Sequence, residues 1–232
     1  MDGAKSLLVL PTLNEEAALV KLAPEIPGGF DVLVVDSYST DRTVEVAKEL
    51  GWKVLEAKYG RGQGSGLKTG MEYFLEHGYD YMFQMDSDYT DSPPDLPKML
   101  SRLESGADVA LGVRDFKKQK QVLGWPTILV KKTIQAILSV VMGWQIRDAL
   151  TGYWGFTRDS VEKMLPKLTE NGFSWCYDWL STAYMSGLEV EEVDTDFRPR
   201  IGKTKLSYTR RAMLVVTGVV YALKVVRWRL LG

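Results

Sequence analysis

The chain has 232 residues, 45% of them hydrophobic and 25% charged, and its 29 Lys and Arg against 30 Asp and Glu leave a net charge of −1. Those proportions exclude a disordered or fibrous chain, and the near-neutral balance argues against a protein held on nucleic acid by its charge. One cysteine and one histidine exclude a Cys/His zinc cluster, a disulfide framework and a triad drawn from several histidines. Any metal is then held by oxygen, and catalysis leans on carboxylates, Arg and Lys.

From the N-terminus, Met1–Ser6 carries no signal-peptide pattern, which points to a cytoplasmic protein. Residues 6–11 are a short apolar run that reads as a buried strand, followed by the polar turn Thr12–Glu16 and a helix. Residues 31–35 repeat the pattern and end in Asp36-Ser-Tyr-Ser-Thr-Asp41, with a helix over 42–50 closed by Gly51. A third strand is expected over 52–57, a helix over 67–77 closed by Gly78, and a fourth strand over 81–85. Continuous apolar strands alternating with helices predict a doubly wound α/β fold whose parallel sheet is covered on both faces. Such sheets bind ligands beyond the carboxyl ends of their strands. Asn14-Glu15, Asp36–Asp41 and Asp86-Ser87-Asp88 each follow a strand directly, so they are expected to converge on one crevice.

Further along, Pro93, Pro94 and Pro97 open a helix running through Leu103, and a strand over 107–112 leads to Arg114. Residues 123–144 form a long amphipathic segment with Lys131 and Lys132 as its basic residues. It reads either as a core helix or as a helix lying on a membrane surface. Ala212–Leu223 is uncharged and is followed by Lys224, Arg227, Trp228 and Arg229. It falls short of the roughly 20 apolar residues that span a bilayer and fits an interface helix or a C-terminal core helix. The expected organisation is one domain over residues 1–210 with an apolar and basic helix over 211–232.

Several constellations carry chemistry. Asp86 and Asp88 stand two apart at a strand end, where i and i+2 share a face, so both can reach one ligand or one divalent ion. Mg²⁺ or Mn²⁺ takes one or two carboxylates and completes its shell with phosphate oxygens and water. The glycine-rich run from Lys58 to Lys68 precedes a helix and matches neither the phosphate-loop nor the dinucleotide spacing; it is a tight turn or a close approach to a ligand. Arg147-Asp148 and Thr151-Gly152 lie among aromatics, and Asp178 stands inside Trp175-Cys-Tyr-Asp-Trp179 as either a general base or a helix N-cap. Arg198, Arg200, Lys203 and Lys205 surround Gly202 in a solvated basic loop or a lid over phosphates.

In this order the motifs resemble the inverting family-2 glycosyltransferases of the GT-A fold, and within them the dolichyl-phosphate mannose synthases. Leu10-Pro-Thr-Leu-Asn-Glu15 is similar to the family's P-x-x-N-E, and Val34-Val-Asp36 with Ser39-Thr-Asp41 to its V-V-D-D-G-S-x-D. Asp86-Ser87-Asp88 stands at the D-x-D, and Gly112-Val-Arg114 at the G-x-R. Asp148-x-x-Thr151-Gly152 resembles D-x-T-S-G-F, and Arg200-x-Gly202-x-Thr204-Lys205-Leu206 resembles R-x-G-x-S-K-L. The resemblance implies that Pro11, Glu15 and Asp36 line the base and ribose of a nucleotide sugar. It gives Asp86 and Asp88 to the sugar and to Mg²⁺ or Mn²⁺, and Arg200 and Lys205 to the diphosphate or the acceptor phosphate. It further gives Arg114, Lys131, Lys132 and Thr151 to an acceptor phosphate, with Asp88, Arg114 and Asp178 as catalytic residues.

The activity implied is transfer of a hexose, mannose from GDP-mannose, to dolichyl or another polyprenyl phosphate with inversion. The enzyme would be peripheral on the cytoplasmic face of a membrane and would bind no nucleic acid. The chain departs from the family pattern at Ser37, where a second aspartate is common, and at Thr90, where a Gln is common. Two alternatives stand beside this reading: a UDP-sugar transferase to a soluble or glycan acceptor with Asp178 as base, and a catalytically silent nucleotide-sugar binder.

Overall fold

A computed structural model describes residues 4–123, 125–202 and 208–231, with their side chains outside 122–126 and 208–212. The strands are β1 (Ser6–Thr12), β2 (Phe30–Asp36), β3 (Lys53–Glu56), β4 (Tyr81–Gln84), β5 (Val109–Arg114), β6 (Trp154–Thr157) and β7 (Val190–Thr195). They form one sheet in the order β3-β2-β1-β4-β6-β5-β7. All seven residues of β1 are buried, as a central strand between two helical layers requires. Its side chains alternate between layers: Leu7 and Val9 enter one apolar cluster, Leu8 and Leu10 the other. Each such side chain contributes about 1.5–3 kcal/mol by leaving water.

The second layer packs α1 (Glu16–Leu22), α2 (Thr43–Glu49) and α4 (Leu96–Glu104) against Leu8, Leu10 and Val34. Opposite lie α3 (Gln63–Glu76), α6 (Trp125–Met142), α7 (Arg158–Met164), α8 (Trp175–Met185) and α9 (Tyr208–Leu231), and α5 (Phe116–Leu123) leads into α6. Beneath β4 and β6 this layer is filled by aromatics: Trp175 and Trp179 meet edge to face at 4.8 Å, and Trp179 meets Phe156 at 5.0 Å.

The first four strands follow the sequence expectation, and the sheet is mostly parallel, as the GT-A resemblance implies, with one reversed strand. β6 runs antiparallel to both β4 and β5, whereas β5 and β7 are parallel. Neither β6 nor β7 announces itself: β6 is four residues long, and β7, Val190-Glu-Glu-Val-Asp-Thr195, is mostly polar. The third helix also starts earlier than its apolar pattern suggests, at Gln63 inside the glycine-rich run. Its first amides are satisfied from outside, Gly64 N–H donating to the Gly172 carbonyl at 3.2 Å and Ser65 N–H to the Asn171 carbonyl at 3.0 Å. That approach demands glycine, since a Cβ on Gly62 or Gly64 would lie 2.1 or 2.5 Å from a carbonyl oxygen of this loop.

The long α6 is two-sided. Ile134, Leu138 and Met142 are buried, while Leu129, Val130 and Val140 face out. Alongside it runs α9 in the same direction, with Gly218 beside Ile134 and Arg229 donating to the Val141 carbonyl. A Cβ on Gly218 would stand 2.6 Å from Ile134 Cγ2, so the small residue sets the spacing of the two helices. The inner face of α9 buries Tyr221, Ala222 and Val225, and its outer face exposes Met213, Val216, Val220 and Leu223. Among the described residues, no helix is long and apolar enough to cross a membrane.

Candidate active site

The parallel register β2-β1-β4 brings the three polar strand ends together, pairing Thr12 with Asp36 and Val9 with Gln84. Asn14, left-handed at φ 52° as Asn tolerates, accepts the Thr40 N–H at 2.7 Å. Ser87 Oγ donates to the Pro11 carbonyl at 2.8 Å, joining the D-x-D turn to the first loop. Thr43 Oγ1 accepts the Glu15 N–H at 2.8 Å. Asp36 is buried; its Oδ2 accepts the Ser39 N–H at 3.0 Å, and its Oδ1 is without a hydrogen-bond partner.

Asp86 and Asp88 are held differently. Asp86 is clamped: Gln63 Nε2 donates to its Oδ1 at 2.6 Å, and the carboxylate lies so close to Gly152 that a Cβ there would stand 2.4 Å away. Burial first, and the Asp88 charge second, raise its pKa to about 6 against the pull of Arg114 and Arg200. Asp88 accepts the Thr90 N–H at 3.0 Å and the Thr90 hydroxyl at 2.6 Å on one oxygen, and gives the other to the Arg200 guanidinium. Thr90, which departs from the family pattern, therefore orients Asp88. Arg200 also stands 4.0 Å from Glu15. The basic segment lies across the D-x-D turn, Ile201 N–H donating to the Asp88 carbonyl at 3.0 Å and Arg198 N–H to the Thr90 carbonyl at 2.9 Å. Tyr89, at the turn's apex, is held in the left-handed region at φ 74°, a conformation that costs a bulky residue of order 1–3 kcal/mol.

These two carboxylates are hard oxygen donors whose mutual repulsion a divalent cation would relieve, and Asp88 Oδ2 already takes a cation, Arg200, as its partner. Among the described residues no group of three or more His, Cys, Asp or Glu could hold a metal alone. The set therefore fits an ion that draws the rest of its shell from a ligand's phosphates.

Beside this turn lies a buried cation pair. Arg114 donates to both oxygens of Asp148 at 2.7 and 3.0 Å. Lys131 Nζ approaches the same carboxylate at 3.3 Å and donates to Gln119 Oε1 at 2.6 Å. Burial followed by the Arg114 charge lowers the Lys131 pKa to about 8, against the opposing Asp148. Although burial works to raise it, Asp148 is held well below the usual carboxylate range by Arg114 and Lys131. Two cations thus share one carboxylate in a desolvated corner, and the Asp86 and Asp91 charges also act on Arg114.

Of the residues singled out from the sequence, Pro11, Glu15, Asp36, Asp86, Asp88, Arg114, Lys131 and Arg200 lie in or beside this crevice. Thr151 is fully buried, its hydroxyl accepting the Tyr153 N–H at 3.1 Å, and it serves as the turn that sets Gly152 against Asp86. Lys132 points elsewhere, its Nζ 4.0 Å above the Phe116 ring. Asp178 is fully buried and accepts the Thr169 and Glu170 N–H groups at 2.6 and 2.9 Å, with Lys224 at 3.5 Å. Its carboxylate holds a loop and does not cap its own helix, whose N-cap residue is Ser174. The charge pair Arg147-Asp148 separates: Arg147 turns outward to Glu192 and Asp194 on β7. Lys205 lies outside the described residues.

Sequence reasoning missed Gln63, Gln119 and Asp91. The Asp91 carboxylate is fully buried and accepts the Asp86 N–H at 3.1 Å. Burial, then the Asp86 charge, pushes its pKa well up. The only signal was a third carboxylate close behind the D-x-D.

A D-x-D turn after a central parallel strand, under a basic segment and beside an antiparallel strand, defines a glycosyltransferase of the GT-A fold. The chain belongs to glycosyl transferase family 2, whose family model matches residues 8–165. It is similar to the polyprenol monophosphomannose synthase of Mycolicibacterium smegmatis, 29% identical over 227 residues that cover 91% of this chain and 85% of that protein. It also resembles the undecaprenyl-phosphate mannosyltransferase of Micrococcus luteus, 28% identical over 214 residues and 87% of each chain. Among solved structures, glucosyl-3-phosphoglycerate synthase of Mycobacterium tuberculosis with Mn²⁺, UDP-glucose and glycerol 3-phosphate superposes with a TM-score of 0.76. It is 20% identical, with 97% of this chain and 81% of that one covered, a likeness of fold.

Proposed function

We propose that the protein transfers a mannosyl residue from a nucleotide-activated donor, GDP-mannose, to a polyprenyl phosphate, inverting the anomeric centre. One observation carries this reading: the buried Arg114–Lys131 pair, two cations on the one carboxylate of Asp148, adjoins the D-x-D turn. A site that must bring an anionic acceptor up to an anionic donor needs such a pair in a desolvated place. The two relatives named for polyprenyl and undecaprenyl phosphate support the same acceptor class.

In this reading Asp36 uses its free buried oxygen to accept from the donor's base, Glu15 and Pro11 line the nucleoside, and Arg200 leaves Asp88 for the diphosphate. Asp86 and Asp88 would hold Mg²⁺ or Mn²⁺, which supplies charge neutralisation to the leaving diphosphate. Arg114 and Lys131 hold the acceptor phosphate. One of its oxygens attacks the anomeric carbon in line as the bond to the diphosphate oxygen breaks, and the nucleoside diphosphate leaves. A phosphate is already ionised at neutral pH, so no general base is required and Asp178 is free for a supporting role. The outer apolar faces of α6 and α9 provide the surface that would rest on the cytoplasmic side of the membrane carrying the lipid.

The test incubates the protein with labelled GDP-mannose, Mg²⁺ or Mn²⁺ and dolichyl or undecaprenyl phosphate in vesicles, then counts label in the organic phase. Label is expected there, and loss of it with EDTA and in Asp88→Ala. Transfer from UDP-sugars to a water-soluble acceptor, with no lipid product from any donor, would overturn the proposal.

A further inference from the structure

The buried carboxylate Asp178 lies on a continuous line of contacts from α9 to the D-x-D turn. On the inner face of α9, Lys224 Nζ stands 3.5 Å from Asp178 Oδ1. One turn away, the Tyr221 hydroxyl lies 3.4 Å from Thr169 Oγ1 and 3.3 Å from Glu170 Oε1. Asp178 fixes the backbone of Thr169 and Glu170 through their N–H groups. The next two residues, Asn171 and Gly172, turn their carbonyls onto the first amides of α3, against glycines that leave no room for a Cβ. Between those glycines, Gln63 donates to Asp86 Oδ1.

We propose that Lys224 and Tyr221 are positioning residues for the donor site, acting through Asp178, the 169–172 loop and Gln63 on the Asp86 carboxylate. The physical basis is the intolerance of each link. A fully buried carboxylate needs its ion-pair partner and its N–H donors, and the loop meets the glycine-rich turn at backbone contact distance, where displacement is transmitted rather than absorbed. Asp86 is held by the amide at the far end of this line. The inference rests on the donor-site part of the proposed function.

The test compares Lys224→Met, Lys224→Arg and Tyr221→Phe with the wild type. In Lys224→Met the donor KM is expected to rise about five- to tenfold, the size of a modest coupling. The acceptor KM should stay within about twofold, and Lys224→Arg should restore the donor KM. A donor KM unchanged in Lys224→Met, or donor and acceptor KM rising together, would overturn the inference. Amide hydrogen exchange reads the same line without substrate. Exchange at residues 62–66 and 169–172 should quicken in Lys224→Met and Tyr221→Phe while α2 and β3 stay as in the wild type; equal exchange at 62–66 in all variants refutes the coupling. Should the wild type turn over no nucleotide sugar, the function proposed above falls, and the exchange measurement still decides this one.

Discussion

Asp148→Ala removes the one carboxylate that Arg114 and Lys131 share. Its side chain is 2% exposed, and those of Arg114 and Lys131 are 9% and 12% exposed, so neither cation can recover its hydration by turning outward. Removing one partner of a buried ion pair costs about 3–5 kcal/mol. The Asp86 and Asp91 charges also act on Arg114, which places the loss near the lower figure. For a chain of this size about 1 kcal/mol shifts Tm by roughly 2–4 °C, so Tm should fall by about 6–12 °C in a thermal melt followed by circular dichroism. The vacated position is then an anion site with two cations already turned toward it. Inorganic phosphate should stabilise Asp148→Ala more than it stabilises the wild type. A variant melting within about 2 °C of the wild type, or an equal phosphate effect on both proteins, would refute the assignment of Asp148 as the anchor of the cation pair.

Gly152→Ala drives a Cβ into the clamped Asp86 carboxylate, and the expected result is transfer reduced at least tenfold together with an overpacking cost of about 1–3 kcal/mol, read by steady-state kinetics beside a melt. Lys131 loses its charge as pH rises through about 8, so kcat/KM for the acceptor should fall above that pH, and a Lys131→Met profile should lack this limb. Stability moves the other way. The folded-state pKa lies below the ordinary 10.5, so the folded protein is penalised while Lys131 is charged. The penalty, about 3 kcal/mol at 1.36 per unit, is relieved as pH rises from about 8 to 10.5. Denaturant melts of wild type and Lys131→Met across that window should show it; parallel curves would contradict the burial of the charge. Trp179→Ala empties the centre of the aromatic cluster and should cost about 3–5 kcal/mol, measured by urea unfolding.

The parallel half of the sheet was legible because β1, β2 and β4 are apolar runs closed by polar turns, and a doubly wound sheet dictates where those turns meet. Asp36, Asp86 and Asp88 could be placed from that rule alone. β6 and β7 could not be read: one is four residues whose partners lie far along the chain, the other alternates acids with valines at a sheet edge. Asp178 could not be placed from sequence, since only the tertiary structure reveals that its carboxylate meets two backbone amides and, from far along the chain, Lys224. Gln63 was hidden by its glycine neighbours, which drew attention to backbone freedom rather than to the amide between them. Lys131 and Lys132 illustrate the limit of an amphipathic pattern, since adjacent residues on a helix face directions about 100° apart and only one of them can turn inward.

The reversed strand β6 separates the sheet into two parallel blocks, β3-β2-β1-β4 and β5-β7. The first carries the loops around Asp36, Asp86 and Asp88, and the second ends at Arg114. Under the proposed function, the donor contacts fall on one block and Arg114 on the other, so substitutions in the first block are expected to retune donor preference while leaving acceptor preference intact. The turn at Thr151-Gly152 leads into the reversed strand and lies against Asp86, so it is where the two blocks meet at the D-x-D turn.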